Sequence, residues 1–134
     1  FCSGGGIRDL AVLTAKKYIS EGKKSILFKD ERDIENLTAK SVAEAMYKGD
    51  EFALEVFTKC AERLGQGLSV IIDILNPQAI VIGSIYERNK DFFFPIVESV
   101  IEKEALSCNS RVCEILPAQL GDSIGDYAAL GVLF

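Results

Sequence analysis

The stretch RLGQGLSVIIDILNPQAIVIGS, Arg63 to Ser84, carries three structural signals in succession. Leu64, Leu68, Ile71, Ile72 and Leu75 recur at the spacing of one helical face. Pro77 forbids continuation of that helix and pushes Asn76 out of helical conformation. Ala79 to Ile82 is short, apolar and without alternation, which predicts a strand buried on both faces. Gly83-Ser84 then turns the chain. Strand-then-glycine turns bring backbone close to ligands in α/β proteins, so the stretch predicts a ligand-binding α/β unit.

Upstream, Asp50 is placed to cap this helix, and the apolar stripe runs from Phe52 through Val56, Phe57, Cys60 and Leu64. The spacing predicts one element over Glu51 to Leu75. Beyond Leu68 it is apolar nearly all round, which predicts that its second half is buried. Gly65 and Gly67 sit inside it at about 1 kcal/mol each relative to alanine. Glycine is tolerated there where a neighbouring element or a ligand approaches the backbone, and packing is the commoner cause. Asp73 reads as a hydrogen-bonded helix residue rather than an acid catalyst.

Further out on the N-terminal side, Thr38 caps a helix over Ala39 to Lys48 that Gly49 ends. Lys23 to Asn36, with DERD at its centre, reads as a surface loop or linker holding a short strand at Ile26-Leu27-Phe28. Ile7 to Ser20 has helical periodicity and stops at Gly22. Gly4-Gly5-Gly6 before it suits an anion cradle or a close-packed helix start, and the absence of a phosphate-loop lysine favours packing.

On the C-terminal side, Ile85 to Asn89 reads as a crossing loop. Asn89 or Asp91 caps a helix from Phe92 to about Leu106, with Pro95 in its first turn. Phe92-Phe93-Phe94 reads as core and packing surface. Ser107 to Arg111 is a turn, Val112 to Leu116 a second strand, and Leu120-Gly121-Asp122 a turn into a last helix. Ser123 and Asp126 there form a capping box. That cap and loop solvation account for Asp126 and Asp122 without acid–base chemistry.

With 134 residues, 49% of them hydrophobic, the chain has one domain's worth of core. A formal charge of −5 argues against a nucleic-acid backbone as partner of this segment. No apolar run approaches the roughly 20 residues of a membrane span. FCSGGG lacks the charged and apolar regions of a signal peptide, and a first residue that is not Met predicts a piece of a longer, cytoplasmic protein. Cys2, Cys60, Cys108 and Cys113 read as cytosolic thiols. With no histidine and no CxxC, no zinc site is expected within the segment.

Three ordered blocks resemble the C-terminal half of ROK-family proteins (repressor, open reading frame, kinase), which include glucokinases. Ala45-Met46-Tyr47-Lys48-Gly49-Asp50-Glu51-Phe52-Ala53 is similar to the family's A-x-x-G-D-x-x-A. Leu64-Gly65 with Leu75-Asn76-Pro77-Gln78-Ala79-Ile80-Val81-Ile82-Gly83 is similar to LG…(N/D)P-x-x-I-V-(I/L)-G-G. Pro117-Ala118-Gln119-Leu120-Gly121-Asp122 with Gly125-Asp126-Tyr127-Ala128-Ala129 is similar to P-A-x-L-G-D…G…A-A. Phe1-Cys2-Ser3-Gly4 looks like the tail of the family's G-C-x-E-x-x-x-S-G segment.

The resemblance implies an actin-like, ribonuclease-H-like α/β lobe. Residues 1–134 would then be a single fragment on the nucleotide side of a two-lobed kinase that phosphorylates a hexose or amino sugar from ATP with Mg²⁺. It implies Gly83, Ser84 and Gly65 as cofactor-binding positions. The catalytic aspartate, phosphate loop, sugar-binding segment and zinc cysteines are expected before Phe1, so the segment alone is expected to be inactive. A sugar-responsive transcriptional repressor and a non-catalytic sugar sensor are the alternative readings. The family often forms dimers through this half, with Phe92-Phe93-Phe94 and Phe134 as candidate contact surface. One departure stands out: Gly83-Ser84-Ile85 replaces the family's Gly-Gly.

Overall fold

The longest element is the helix that the apolar stripe predicts, α3 (Glu51–Leu75), of 25 residues. Asp50 caps it by accepting from the Ala53 amide at 3.0 Å, and the same carboxylate accepts from the Ile26 amide at 2.9 Å. One residue therefore starts the helix and pins the preceding loop to it. A computed structural model describes residues 2–131, the side chains of residues 122, 124, 126, 130 and 131 excepted. The readings placed on Asp122, the Ser123–Asp126 capping box and Phe134 lie outside what it describes.

Around α3 the order is α1 (Gly4–Ser20), α2 (Ala39–Tyr47), α3, β1 (Ala79–Ile82), α4 (Ile85–Arg88), α5 (Lys90–Glu104), α6 (Ser107–Ser110), β2 (Glu114–Pro117) and α7 (Ile124–Gly131). The core is one cluster. Ile7, Ala11 and Tyr18 of α1, Val42 and Met46 of α2, and Phe93, Val97 and Ile101 of α5 close on Phe52, Val56, Phe57 and Ile72 of α3. Edge-on aromatic contacts fill it, with Phe28 4.9 Å from Phe52 and Phe93 5.7 Å from Phe57 between ring centroids. Phe92-Phe93-Phe94 is thus largely inward-facing. Phe93 is buried, and Phe92 lies half-buried with its ring 6.2 Å from that of Phe57.

β1 and β2 pair in parallel, with Ala79 opposite Glu114 and Ile82 opposite Pro117. The α4–α5–α6 crossover joins them, giving a mixed α/β unit with one βαβ connection. Among the described residues no helix is long and apolar enough to cross a membrane.

Several boundaries differ from expectation, each for a local reason. Helix α1 starts at Gly4 rather than Ile7, because the Ser3 hydroxyl accepts from the Gly6 amide at 3.1 Å and so makes the glycines its first turn. Ile26 to Phe28 is not a strand. The segment makes a single bridge, Ser25 to Phe28, with a 3₁₀ turn at Asp33–Asn36. Phe28, Ile34 and Leu37 are buried, which anchors residues 23–36 to the core.

The crossing loop is one helical turn, α4. Asn89 donates from Nδ2 to the Ile85 carbonyl at 2.8 Å instead of capping the next helix. Helix α5 begins at Lys90, so Pro95 lies in its second turn, facing water, and leaves one main-chain bond unmade. The turn after it is the short α6, and β2 spans Glu114–Pro117 rather than Val112–Leu116.

Two burial expectations are overturned. Ile74 and Leu75 are 73% and 69% exposed, and Val81 is 64% exposed. Along β1 only Ile80 and Ile82 pack on the core, and Ala79 and Val81 face out. The reason is common to both. The described helices cover one side of α3 and one face of the sheet, so the opposite sides meet water.

Candidate functional site

Parallel strands deliver their following loops to one end of the sheet, where α/β folds bind ligands. Here those loops are Gly83-Ser84 after β1 and Ala118–Gly121 after β2. The Ala118 amide donates to the Ile82 carbonyl at 2.9 Å, extending the ladder by one bond and drawing the loops together. A Cβ built on Gly83 would stand 3.3 Å from the Ala118 Cβ, closer than side chains ordinarily pack. A side chain at Gly83 would therefore require Ala118 to give by a few tenths of an ångström.

Ser84 has φ 61° and ψ −122°, a conformation that side-chain-bearing residues avoid. It is exposed, its hydroxyl makes no capping bond to α4, and its carbonyl accepts from the Arg88 amide at 3.2 Å. Gly121, at φ 52°, turns the second loop, and a Cβ there would lie 3.3 Å from Glu87 Oε1 of α4. Ile85 reaches toward the start of α1, its Cδ1 3.8 Å from where a Gly4 Cβ would stand. The β1 turn, the β2 turn, α4 and the first turn of α1 therefore meet at one end of the sheet. Behind them Tyr86 is buried with its hydroxyl unpartnered among the described residues, and that burial raises its pKa.

Gly65 is placed differently. It is buried where α3 crosses α5, and a Cβ on it would lie 2.7 Å from the Val100 Cβ and 3.2 Å from the Val97 carbonyl. Of the two readings open for Gly65, packing accounts for its surroundings: α5 fills the space beside it. Gly67 has nothing within 4 Å of a built Cβ. Asp73 accepts from the Leu106 amide at 3.0 Å and from Asn109 at 3.4 Å, so it holds the α5–α6 corner.

The sequence marks Ile85 as a departure after Gly83-Ser84, and Ala118 and Gly121 as parts of a family-like block and a turn, without placing them together. Only the β1–β2 register brings them beside Gly83. Among the described residues no group of three Cys, Asp or Glu is placed to hold a metal ion. Among the described residues the site thus offers a backbone shelf and apolar edges, with the Glu87 carboxylate beside Gly121.

The ROK family model matches residues 2–132. The dual regulator NagC of Escherichia coli (strain K12) is 29% identical over 133 residues, covering 95% of this chain and 32% of its own length. A glucokinase of Halalkalibacterium halodurans is 32% identical over 111 residues, covering 83% of this chain and 34% of that protein. A solved ROK family transcriptional regulator, described as a homologue of the E. coli MLC protein, superposes with a TM-score of 0.68 at 25% identity, over 86% of this chain and 27% of that one. The chain spans about a fifth to a third of the length of the curated relatives it matches.

Proposed function

The chain belongs to the ROK family, and from that membership we propose that it forms the nucleotide-side wall of an ATP-dependent kinase acting on a hexose or amino sugar. In this reading the sheet and its helices are the C-terminal part of an actin-like ATPase lobe. The observation that carries it is Ser84. A strained turn of this kind costs on the order of 1–3 kcal/mol and persists where the chain path itself is required. Ser84 stands where the family's motif has its second glycine, and its φ of 61° is one that glycine enters freely and a side chain opposes. A flat backbone turn at the end of a parallel strand suits an adenosine, which needs apolar contact and close main-chain approach.

The shelf fits the nucleoside part of ATP, held by Gly83 and Ser84. Bound ATP supplies the phosphoryl group. This chain's residues bind and orient the nucleoside and exclude water from its apolar face, while the base, metal ligands and phosphate-neutralising groups lie elsewhere. In the intact protein, ADP release is measured with ATP, Mg²⁺ and a panel of hexoses and amino sugars. ADP formation dependent on one sugar, and none from residues 1–134 alone, is expected. No sugar-dependent ADP from the intact protein would overturn the reading.

A second reading, a sugar-responsive repressor, is favoured by one observation: the alignment with NagC covers 95% of the chain, against 83% for the glucokinase. Its signature would be binding to operator DNA that a sugar releases without ADP formation.

A further inference from the structure

We propose that Cys2 and Cys60 form a peroxide-sensitive thiol pair, in which oxidation joins the start of α1 to the middle of α3 by a disulfide. The two cysteines are 58 positions apart in sequence, yet the Cys2 thiol donates to the Cys60 carbonyl at 3.6 Å, which puts its sulfur on the residue carrying the other thiol. Cys60 is fully buried and Cys2 partly so, which leaves one sulfur within reach of a small oxidant and the other shielded from it.

The environments differ in the direction such a pair requires. The neighbouring Cys60 thiol favours the ionised form of Cys2 and lowers its pKa, against the opposing effect of burial. Cys2 also stands just ahead of the α1 cap, where the helix end favours an anion. Cys60 is pushed the other way, first by its hydrogen bond to Cys2 and then by burial. Cys2, the sulfur an oxidant can reach, is the attacking one, and the buried Cys60 is the resolving one.

The Cys2 thiolate attacks hydrogen peroxide, forming an S–O bond as the O–O bond breaks and hydroxide leaves as water. The Cys60 sulfur then displaces hydroxide from the Cys2 sulfenic acid, forming the S–S bond and passing its proton to the leaving group. Two thiols and one peroxide become one disulfide and two waters. The link ties α1, whose first turn faces Ile85 at the candidate site, to the central helix.

The full chain is treated with hydrogen peroxide, its remaining thiols are alkylated, and peptides are mapped without reduction. The expected result is a Cys2–Cys60 linked pair and the loss of two alkylatable thiols. The pair should persist in a Cys108→Ser/Cys113→Ser variant. In Cys60→Ser the link should vanish and Cys2 should be trapped by dimedone as sulfenic acid. Cys2→Ser, a change at a partly exposed position, should leave Cys60 alkylatable only after unfolding. A wild-type Cys2 that stays reduced, stops at the dimedone adduct, or links to Cys108 or Cys113 overturns the proposal.

Discussion

Ser84 occupies backbone space that glycine enters freely, and it does so with an exposed side chain that makes no capping bond. Ser84→Gly relieves strain of about 1–3 kcal/mol and gives back roughly 0.5–1 in chain entropy, so a net gain of about 1 kcal/mol in unfolding free energy is expected by urea denaturation. A loss of stability would mean that the serine carries contacts of its own. Tyr18 makes a second residue-scale case. Burial, and then donation to Glu55 at 2.9 Å, push its pKa up to about 12. The folded chain holds that proton more tightly than the unfolded chain, whose tyrosine titrates near about 10. The stabilisation is therefore complete below about pH 10 and is lost as pH rises toward about 12. Urea midpoints should fall across that window in the wild type, and by less in Tyr18→Phe.

Gly65 and Gly67 share one helix and one residue type, and their surroundings separate them. At Gly65 a Cβ would overlap Val100 of α5. Gly65→Ala should destabilise by about 1–3 kcal/mol through overpacking, despite alanine's better helix propensity. At Gly67 nothing stands within 4 Å, so Gly67→Ala should stabilise by about 0.5–1 kcal/mol. Thermal unfolding of the pair checks both, and equal shifts would refute the packing account of Gly65. The elements themselves were legible wherever a local signal sets them. The span of α3 follows from Asp50 and from Asn76-Pro77, and that of β1 from Pro77 and Gly83. They were least legible where one hydrogen bond moves a boundary, as Ser3 does for α1 and Asn89 for the α4–α5 junction. The spacing of Asn89, Asp91 and Pro95 suggests a cap that the folded chain does not use.

For the whole molecule the unexpected feature is what stays uncovered. Ile71, Ile74 and Leu75 form an exposed row on α3, and Val81 opposite Leu116 lies on the open face of the sheet. In this chain Ile74→Lys should shift stability by less than about 0.5 kcal/mol in urea denaturation. A large loss of stability would show that the row is packed. The sequence by itself determined where α2, α3 and the first strand run, that Gly83-Ser84 makes a turn, and which family's motifs the chain carries. Those properties depend on neighbours a few residues away: caps, proline stops and the apolar period. Only the tertiary structure decided that Gly65 serves the α3–α5 crossing, that Ala118 and Gly121 join the turn at Ser84, that Cys2 meets Cys60, and which side of α3 is covered. Each of these depends on how distant segments pack, and an apolar residue in a sequence does not say which partner will bury it.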